Sequence, residues 1–335
     1  MRAFIKDFNG VLSPLRNSIK TTENVREADV LVLWQDVRGD MLELCEINRD
    51  FMHKPVIVVQ HGRGATRDYL APNSFPLQAD VFCCWGAADK ERMERAGYGN
   101  KTVVTGSPIR NSLIPLQPHE GKNIVFCPVI SSHEEPENIE TFFKLKQIEL
   151  KKASTKLITC KDKLKTAWQS WNVDPNSVTD GSVPFHVLNK DWRLISKLTG
   201  IHDKKLYFGD AVTTQQANVQ HLNDVIKLLS HTDVVVALEE GTLPLIAMAM
   251  DIPVVMVEGF KYKEYGGRDY SSVELIHTDA AAWTEIDKLE EVIDRELSEP
   301  SRLASKRRAV VLNEFGEMYG NPIGKIKDVI KRMAK

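Results

Sequence analysis

Short, unbroken apolar runs restrict this chain more than any other feature. VLVLW (30–34), PVIVVQ (55–60), DVFCCWG (80–86), DVVVAL (233–238) and IPVVMVEG (252–259) are the clearest of them. A strand with one face in water alternates apolar and polar residues. A continuous run is instead buried on both faces, as in a parallel sheet covered by helices. Between the runs stand segments with apolar residues at helical spacing: MLELCEINRDFM (41–52), DKERMERAGYG (89–99), HLNDVIKLLSHT (221–232), TLPLIAMAMD (242–251) and DKLEEVIDRELS (287–298). Strand and helix in alternation are the grammar of α/β units.

A chain of 335 residues is long enough for two such domains. IPLQPHEGK (114–122), with two prolines, a glycine and no periodicity, reads as a linker between them. Before it, KTVVTGSP (101–108) is a further strand. After it, NIVFCPV (123–129) restarts the pattern, followed by a helix over 137–154, a strand KLITC (156–160) and, later, KLYFG (205–209). Residues 161–205 are polar, studded with aromatics and left without assignment. The expected fold class is α/β, with two doubly wound Rossmann-like domains facing a cleft. They occupy 1–118 and 119–300, and C-terminal helices over 301–335 are positioned to pack back on the first. On such sheets ligands sit at the carboxyl ends of the strands.

Composition removes several function classes. A net charge of −2 argues against a bulk polyanionic partner. Five cysteines (45, 83, 84, 127 and 160) form no Cys-x-x-Cys and no zinc spacing, which fits free thiols in a reducing cytoplasm. The N-terminus has no apolar signal region, and no run of 18 apolar residues occurs, so the expectation is a cytoplasmic chain without a membrane span. Asp-x-Asp, His-Glu-x-x-His, a Walker lysine and Gly-x-Ser-x-Gly are all missing. That disfavours metal-dependent transferases, P-loop kinases and standard hydrolases.

Two strand ends concentrate the remaining chemistry. In ALEEGTLPL a buried strand runs through Glu239, Glu240 and Gly241 into a helix at Thr242. The N–H groups and positive dipole end of that helix suit a diphosphate, although a plain capping turn reads equally well. In QHGRGATRD, His61 is the best side chain to take a proton near neutral pH. Gly62 and Gly64 free the loop backbone, and Arg63 or Arg67 can meet a phosphate or carboxylate. A loop hydrogen bond is the competing role for His61.

These residues resemble the GT-B glycosyltransferases, in particular the capsule, CDP-glycerol and Kdo transferases and the UDP-sugar-dependent group. The turn at Gly241-Thr242 with Pro253 beyond its helix is similar to their diphosphate turn. Gln60-His61-Gly62 is similar to their strand end at the catalytic cleft. Ile246 stands where the family often carries an acidic residue for the ribose, and Asp251 where it carries glycine. VTGSP with Arg110 and Asn111 looks like the stretch that closes the N-terminal half, which brings in Ser107 as a donor contact. By the same resemblance Ser131 and His133 end the first strand after the linker, and Lys161 follows the next. Phe208 and Asp210 would frame a nucleobase. Lys261 and Arg268, in a loop rich in aromatics and glycine, would meet the leaving group, unless that loop is simply solvated.

The resemblance implies a glycosyltransferase with His61 and Arg63 in the catalytic role. It would use a nucleotide-diphosphate sugar, a UDP-sugar by preference, with no required cofactor or metal. The acceptor would be a hydroxyl on a glycan, lipid-linked or nucleic-acid-linked molecule, bound to the N-terminal half, with the donor on the C-terminal half. Two other readings share the architecture: a non-hydrolysing nucleotide-sugar 2-epimerase, whose Gly-Thr-Arg-Pro signature is absent, and a non-catalytic nucleotide-binding protein. Residues 301–335 carry nine Lys/Arg against three Asp/Glu. That excess means either a solvated helix face or peripheral contact with an anionic surface.

Overall fold

The computed structural model describes residues 1–7, 10–37, 39–70, 74, 76–119, 122, 124–127, 155–157, 222–223, 225–237, 241–258, 279–317 and 320–334. The chain divides into two compact units. Residues 1–113 and 309–335 belong to the first, and the stretches 114–213 and 224–308 to the second.

The first unit is built on five parallel strands: β1 (Ala3–Ile5), β2 (Val30–Leu33), β3 (Val56–Val59), β4 (Val81–Cys84) and β5 (Thr102–Val104). They are hydrogen-bonded in chain order, β1-β2-β3-β4-β5. At three residues, AFI in β1 is too short to show a period in the sequence. Val30–Leu33, Val56–Val59 and Val81–Cys84 are buried at every position, as continuous apolar runs require.

Alternation along each strand sorts those residues into two layers. Leu31, Leu33, Val56, Val58, Phe82 and Cys84 pack in one cluster with Met41 and Cys45 from α2 (Gly39–Ile47), Tyr69 from α3 (Arg67–Leu70) and Met93 from α4 (Ala87–Arg95). Helix α2 runs on into a π-turn, Asn48–Met52, so the predicted helix over 41–52 ends in a widened last turn. Val30, Val32, Ile57, Val59 and Cys83 necessarily face the opposite side. The short α1 (Ser13–Arg16) and the chain's last helix lie against each other in this unit, and that helix also packs on the turn Pro108–Ser112.

The second unit has five parallel strands in the order β10-β9-β8-β6-β7. They are β6 (Ile124–Cys127), β7 (Thr155–Leu157), β8 (Val234–Ala237), β9 (Val254–Val257) and β10 (Ala282–Thr284). From β6 the chain goes to β7 on one side and returns to β8 on the other. The strand order therefore reverses between β6 and β8, the switch point of a doubly wound sheet. Helix α5 (Thr242–Ala249) joins β8 to β9, and α6 (Leu289–Ser298) follows β10.

Two C-terminal helices complete the chain. Residues 309–315 of α7 (Ala304–Phe315) and all of α8 (Pro322–Met333) belong to the first unit. In α8, Pro322 opens the helix and the Asn321 side chain accepts the Gly324 N–H at 2.8 Å. Its buried residues, Ile323, Ile326, Val329 and Ile330, fall on one stripe, and Lys325 and Lys331 lie outside it. The charge of Arg332 in the last turn reaches the buried Cys83 thiol of β4. Much of the basic tail is thus one side of an amphipathic helix. Among the described residues, no helix is long and apolar enough to cross a membrane.

Candidate functional site

The carboxyl ends of β2 and β3 bring together Trp34 and His61. The His61 ring stands edge-on to the Trp34 ring, with centroids 4.7 Å apart and planes at 86°. Its Nδ1 lies 3.0 Å from the Trp34 carbonyl oxygen. A carbonyl only accepts, so Nδ1 carries the proton and the lone pair of the neutral ring is on Nε2. That tautomer is the one a general base needs, and the ring is half-buried rather than sealed.

Gln60 fixes the backbone that presents His61. It is fully buried, and its N–H donates to the Cys83 carbonyl of β4 at 3.0 Å. Its side-chain oxygen accepts the Trp85 N–H at 2.8 Å, and its own carbonyl accepts the Trp85 indole N–H at 2.8 Å. The side-chain amide donates to the Gly62 carbonyl at 3.0 Å and to Asp89 at 2.6 Å. A buried amide with both ends engaged leaves the loop one conformation.

Below this loop lies a buried charge cluster that sequence reasoning missed. Asp89 accepts from Thr66 Oγ1 at 3.0 Å and from Arg92 at 2.7 Å. Arg92 also forms a two-pronged pair with Glu314, at 2.9 and 2.7 Å. Arg63 Nε lies 3.8 Å from the same Glu314 carboxylate. Two cations face two anions, so the cluster is neutral as a whole. Burial pushes Asp89 above the ordinary carboxylate range, with Arg92 pulling the other way. Burial works against the charge on Arg92, but its carboxylate partners hold it on net. Arg63 is only 5% exposed. The structure places it beneath the loop rather than on its surface.

Asp36, after β2, was also overlooked. It accepts from the Tyr69 hydroxyl and from the Gln78 and Ala79 N–H groups, each at 2.7 Å. Burial nonetheless raises its pKa. It ties the strand end beside Trp34 to the chain entering β4. An Asp two residues beyond the apolar run of β2, in Trp34-Gln35-Asp36-Val37, was the available signal for it.

Ser107 is fully buried beneath the C-terminal segment, and its N–H donates to the Phe315 carbonyl at 3.1 Å. In the second unit, Gly241 is the N-cap of α5, at the carboxyl end of β8 and therefore at the switch point. Among the described residues, a Cβ built on Gly241 would meet nothing within 4 Å. Thr242 is the first residue of α5, and Pro244 stands in the first turn, where proline is tolerated. Ile246 is 3% exposed and faces the core of its own unit. Asp251 adopts a left-handed backbone (φ 61°) after α5. Its N–H donates to Met248 O at 3.0 Å, and the Ile252 N–H donates to Ala247 O at 2.9 Å, which closes the helix as glycine usually does. The Asp251 carboxylate accepts from Arg307 at 3.0 Å and from Arg308 at 3.1 Å. Ser131, His133, Lys161, Phe208, Asp210, Glu239, Glu240, Lys261 and Arg268 lie outside the described residues.

No family model matches the sequence, and no curated protein matches it. Solved structures do. The UDP-GlcNAc 2-epimerase from Neisseria meningitidis, bound to UDP-GlcNAc, superposes with a TM-score of 0.56 at 10% identity, covering 99% of this chain and 100% of that one. A variant of the wall teichoic acid polymerase TagF, soaked with CDPG, gives 0.53 at 12% identity, covering 99% of this chain and 88% of that one. At such identities the likeness is one of fold. The chain has the GT-B architecture of two Rossmann-like α/β domains, as the motif resemblance implied.

Proposed function

We propose that this chain is a glycosyltransferase that moves a sugar from a nucleotide-diphosphate donor to a hydroxyl acceptor. The observation that carries this reading is the orientation of His61, with Nδ1–H on the Trp34 carbonyl and the basic Nε2 turned to its other side. In the proposed reaction Nε2 takes the acceptor's hydroxyl proton as that oxygen bonds to the anomeric carbon. The bond from that carbon to the diphosphate breaks, and its electron pair leaves with the nucleoside diphosphate. Arg63 acts at one remove, as a positioning residue under the loop.

The head of α5 supports the donor half of the reading. A helix N-terminus at a sheet's switch point offers N–H donors and a positive dipole to a diphosphate. Glu239 and Glu240 precede it, and Ser131, His133, Lys161, Phe208, Asp210, Lys261 and Arg268 are assigned to the donor by resemblance alone. The two structural neighbours also handle nucleotide-linked ligands by their names, UDP-GlcNAc in one case and CDPG in the other.

The test is a panel of UDP-, GDP-, CDP- and CMP-sugars with and without hydroxyl acceptors, scored for nucleotide release. Acceptor-dependent release is expected. His61→Ala should lower turnover about 100-fold or more while donor binding stays as it was. Full turnover in that variant would remove His61 as the base. Epimer formation without acceptor would favour the epimerase reading that the Neisseria neighbour suggests. Binding without any turnover would favour a binding protein.

A further inference from the structure

A cavity of about 370 Å³ lies within the first unit. Its walls are the ends of β4 and β5, the turn Pro108–Ser112 and the C-terminal helices. Val104, Leu312 and Pro322 supply apolar wall, and Arg110, Glu317 and Lys325 supply charge. Leu312 is 57% exposed at this place.

Two polar side-chain atoms of the turn that carries Arg110 have no protein partner, although of the two residues only Arg110 lines the cavity. Arg110 Nη1 and Ser107 Oγ are both closed off from solvent, and neither makes a hydrogen bond. The Arg110 N–H donates to the Ser107 carbonyl at 3.2 Å, so the two belong to one turn. An unpartnered buried guanidinium N–H is costly and calls for a partner, whether water, an ion or a ligand. Burial lowers the Arg110 pKa, and the Glu317 carboxylate opposes that only in part. Lys325 adds a second cation, 3.8 Å from Glu317. Two cations against one carboxylate leave the cavity one positive charge in excess.

We infer that this cavity binds a small molecule with an apolar body and a single negative charge, such as a carboxylate, held by Arg110 and Lys325. A guanidinium fork matches a carboxylate in geometry, and the net charge matches a monoanion better than a dianion. The body of the ligand would lie against Leu312, Pro322 and Val104. His61 is not among the walls of this site.

Benzoate is the probe, with neutral benzamide as its isostere and phenyl phosphate as the dianion. Binding to the full chain is followed by saturation-transfer NMR and by thermal shift at millimolar concentration. Benzoate should bind at least ten-fold more tightly than benzamide, and more tightly than phenyl phosphate. Arg110→Met should weaken benzoate at least ten-fold. Lys325→Met and Leu312→Ser, both at exposed positions, should each weaken it about three-fold with the melting temperature unchanged. Lys20→Met, on a distant surface, should leave it as in the parent chain. Equal binding of benzamide would remove the charge from the argument, and tighter binding of phenyl phosphate would overturn the monoanion assignment. Undiminished benzoate binding in all three cavity variants, or no benzoate binding by the parent chain, would overturn the site.

Discussion

At the scale of single residues, burial decides what the side chains can do. Cys45, Cys83 and Cys84 are free and buried, and burial pushes the first two thiols up to about 12 from 9.0. Since the folded pKa is the higher one, the stability these thiols contribute is complete below pH 9 and is lost as pH rises through 12. Iodoacetamide at pH 9 should therefore leave all three unmodified in the native chain and label them fully in denaturant, read peptide by peptide in a mass spectrometer. Rapid native labelling of Cys83 would contradict its burial. The pair at 83 and 84 was legible as packing material, since two adjacent cysteines sat within an apolar run. The place of His61 was legible, because a strand ending in Gln-His-Gly puts a titratable ring at the sheet's edge. Its tautomer was not, because that depends on a carbonyl 27 residues away.

At the scale of elements, glycine sets how closely the C-terminal segment approaches the first sheet. A Cβ on Gly86 would fall on the Asn313 carbonyl and within 2.9 Å of the Glu314 carbonyl carbon. Gly316, at φ 91°, would place a Cβ 2.9 Å from both Gly106 Cα and the Trp85 carbonyl oxygen. These are backbone contacts, which cannot swing aside. Gly86→Ala should therefore cost about 3 kcal/mol, the upper part of the usual overpacking range. Urea unfolding measures it, and a change under about 0.5 kcal/mol would show that α7 can shift without penalty. The same approach seats Glu314 beside Arg92 and Arg63. Removing that carboxylate would leave two buried cations facing one anion. None of this was readable in the glycines themselves. A Trp-Gly or Gly-Ser-Pro at a strand end looks the same whether it meets a ligand, solvent or another helix.

At the scale of the whole molecule, the chain's last residues complete the unit begun by its first. Trp85 is fully buried against Phe315, with ring centroids 5.3 Å apart, and α8 packs on α1 and on the turn Pro108–Ser112. A chain ending at Arg308 should lose the cover over one side of the first sheet. Its near-UV circular dichroism should collapse and it should bind ANS, although far-UV helix and strand signals persist. A truncated chain with a sharp thermal transition and native near-UV signal would refute this account. The sequence alone determined the α/β class and two parallel sheets, and it marked the strand ends proposed to carry chemistry. These follow from local periodicity, and buried strands must be apolar wherever they lie. Only the tertiary structure decided which strands neighbour which and that the second sheet reverses its order between β6 and β8. It alone turned the basic tail into an amphipathic layer and neutralised Asp89, Arg92, Arg63 and Glu314 against one another. Those outcomes rest on contacts between residues as many as 222 apart, as from Arg92 to Glu314, and no local pattern encodes a partner at that distance.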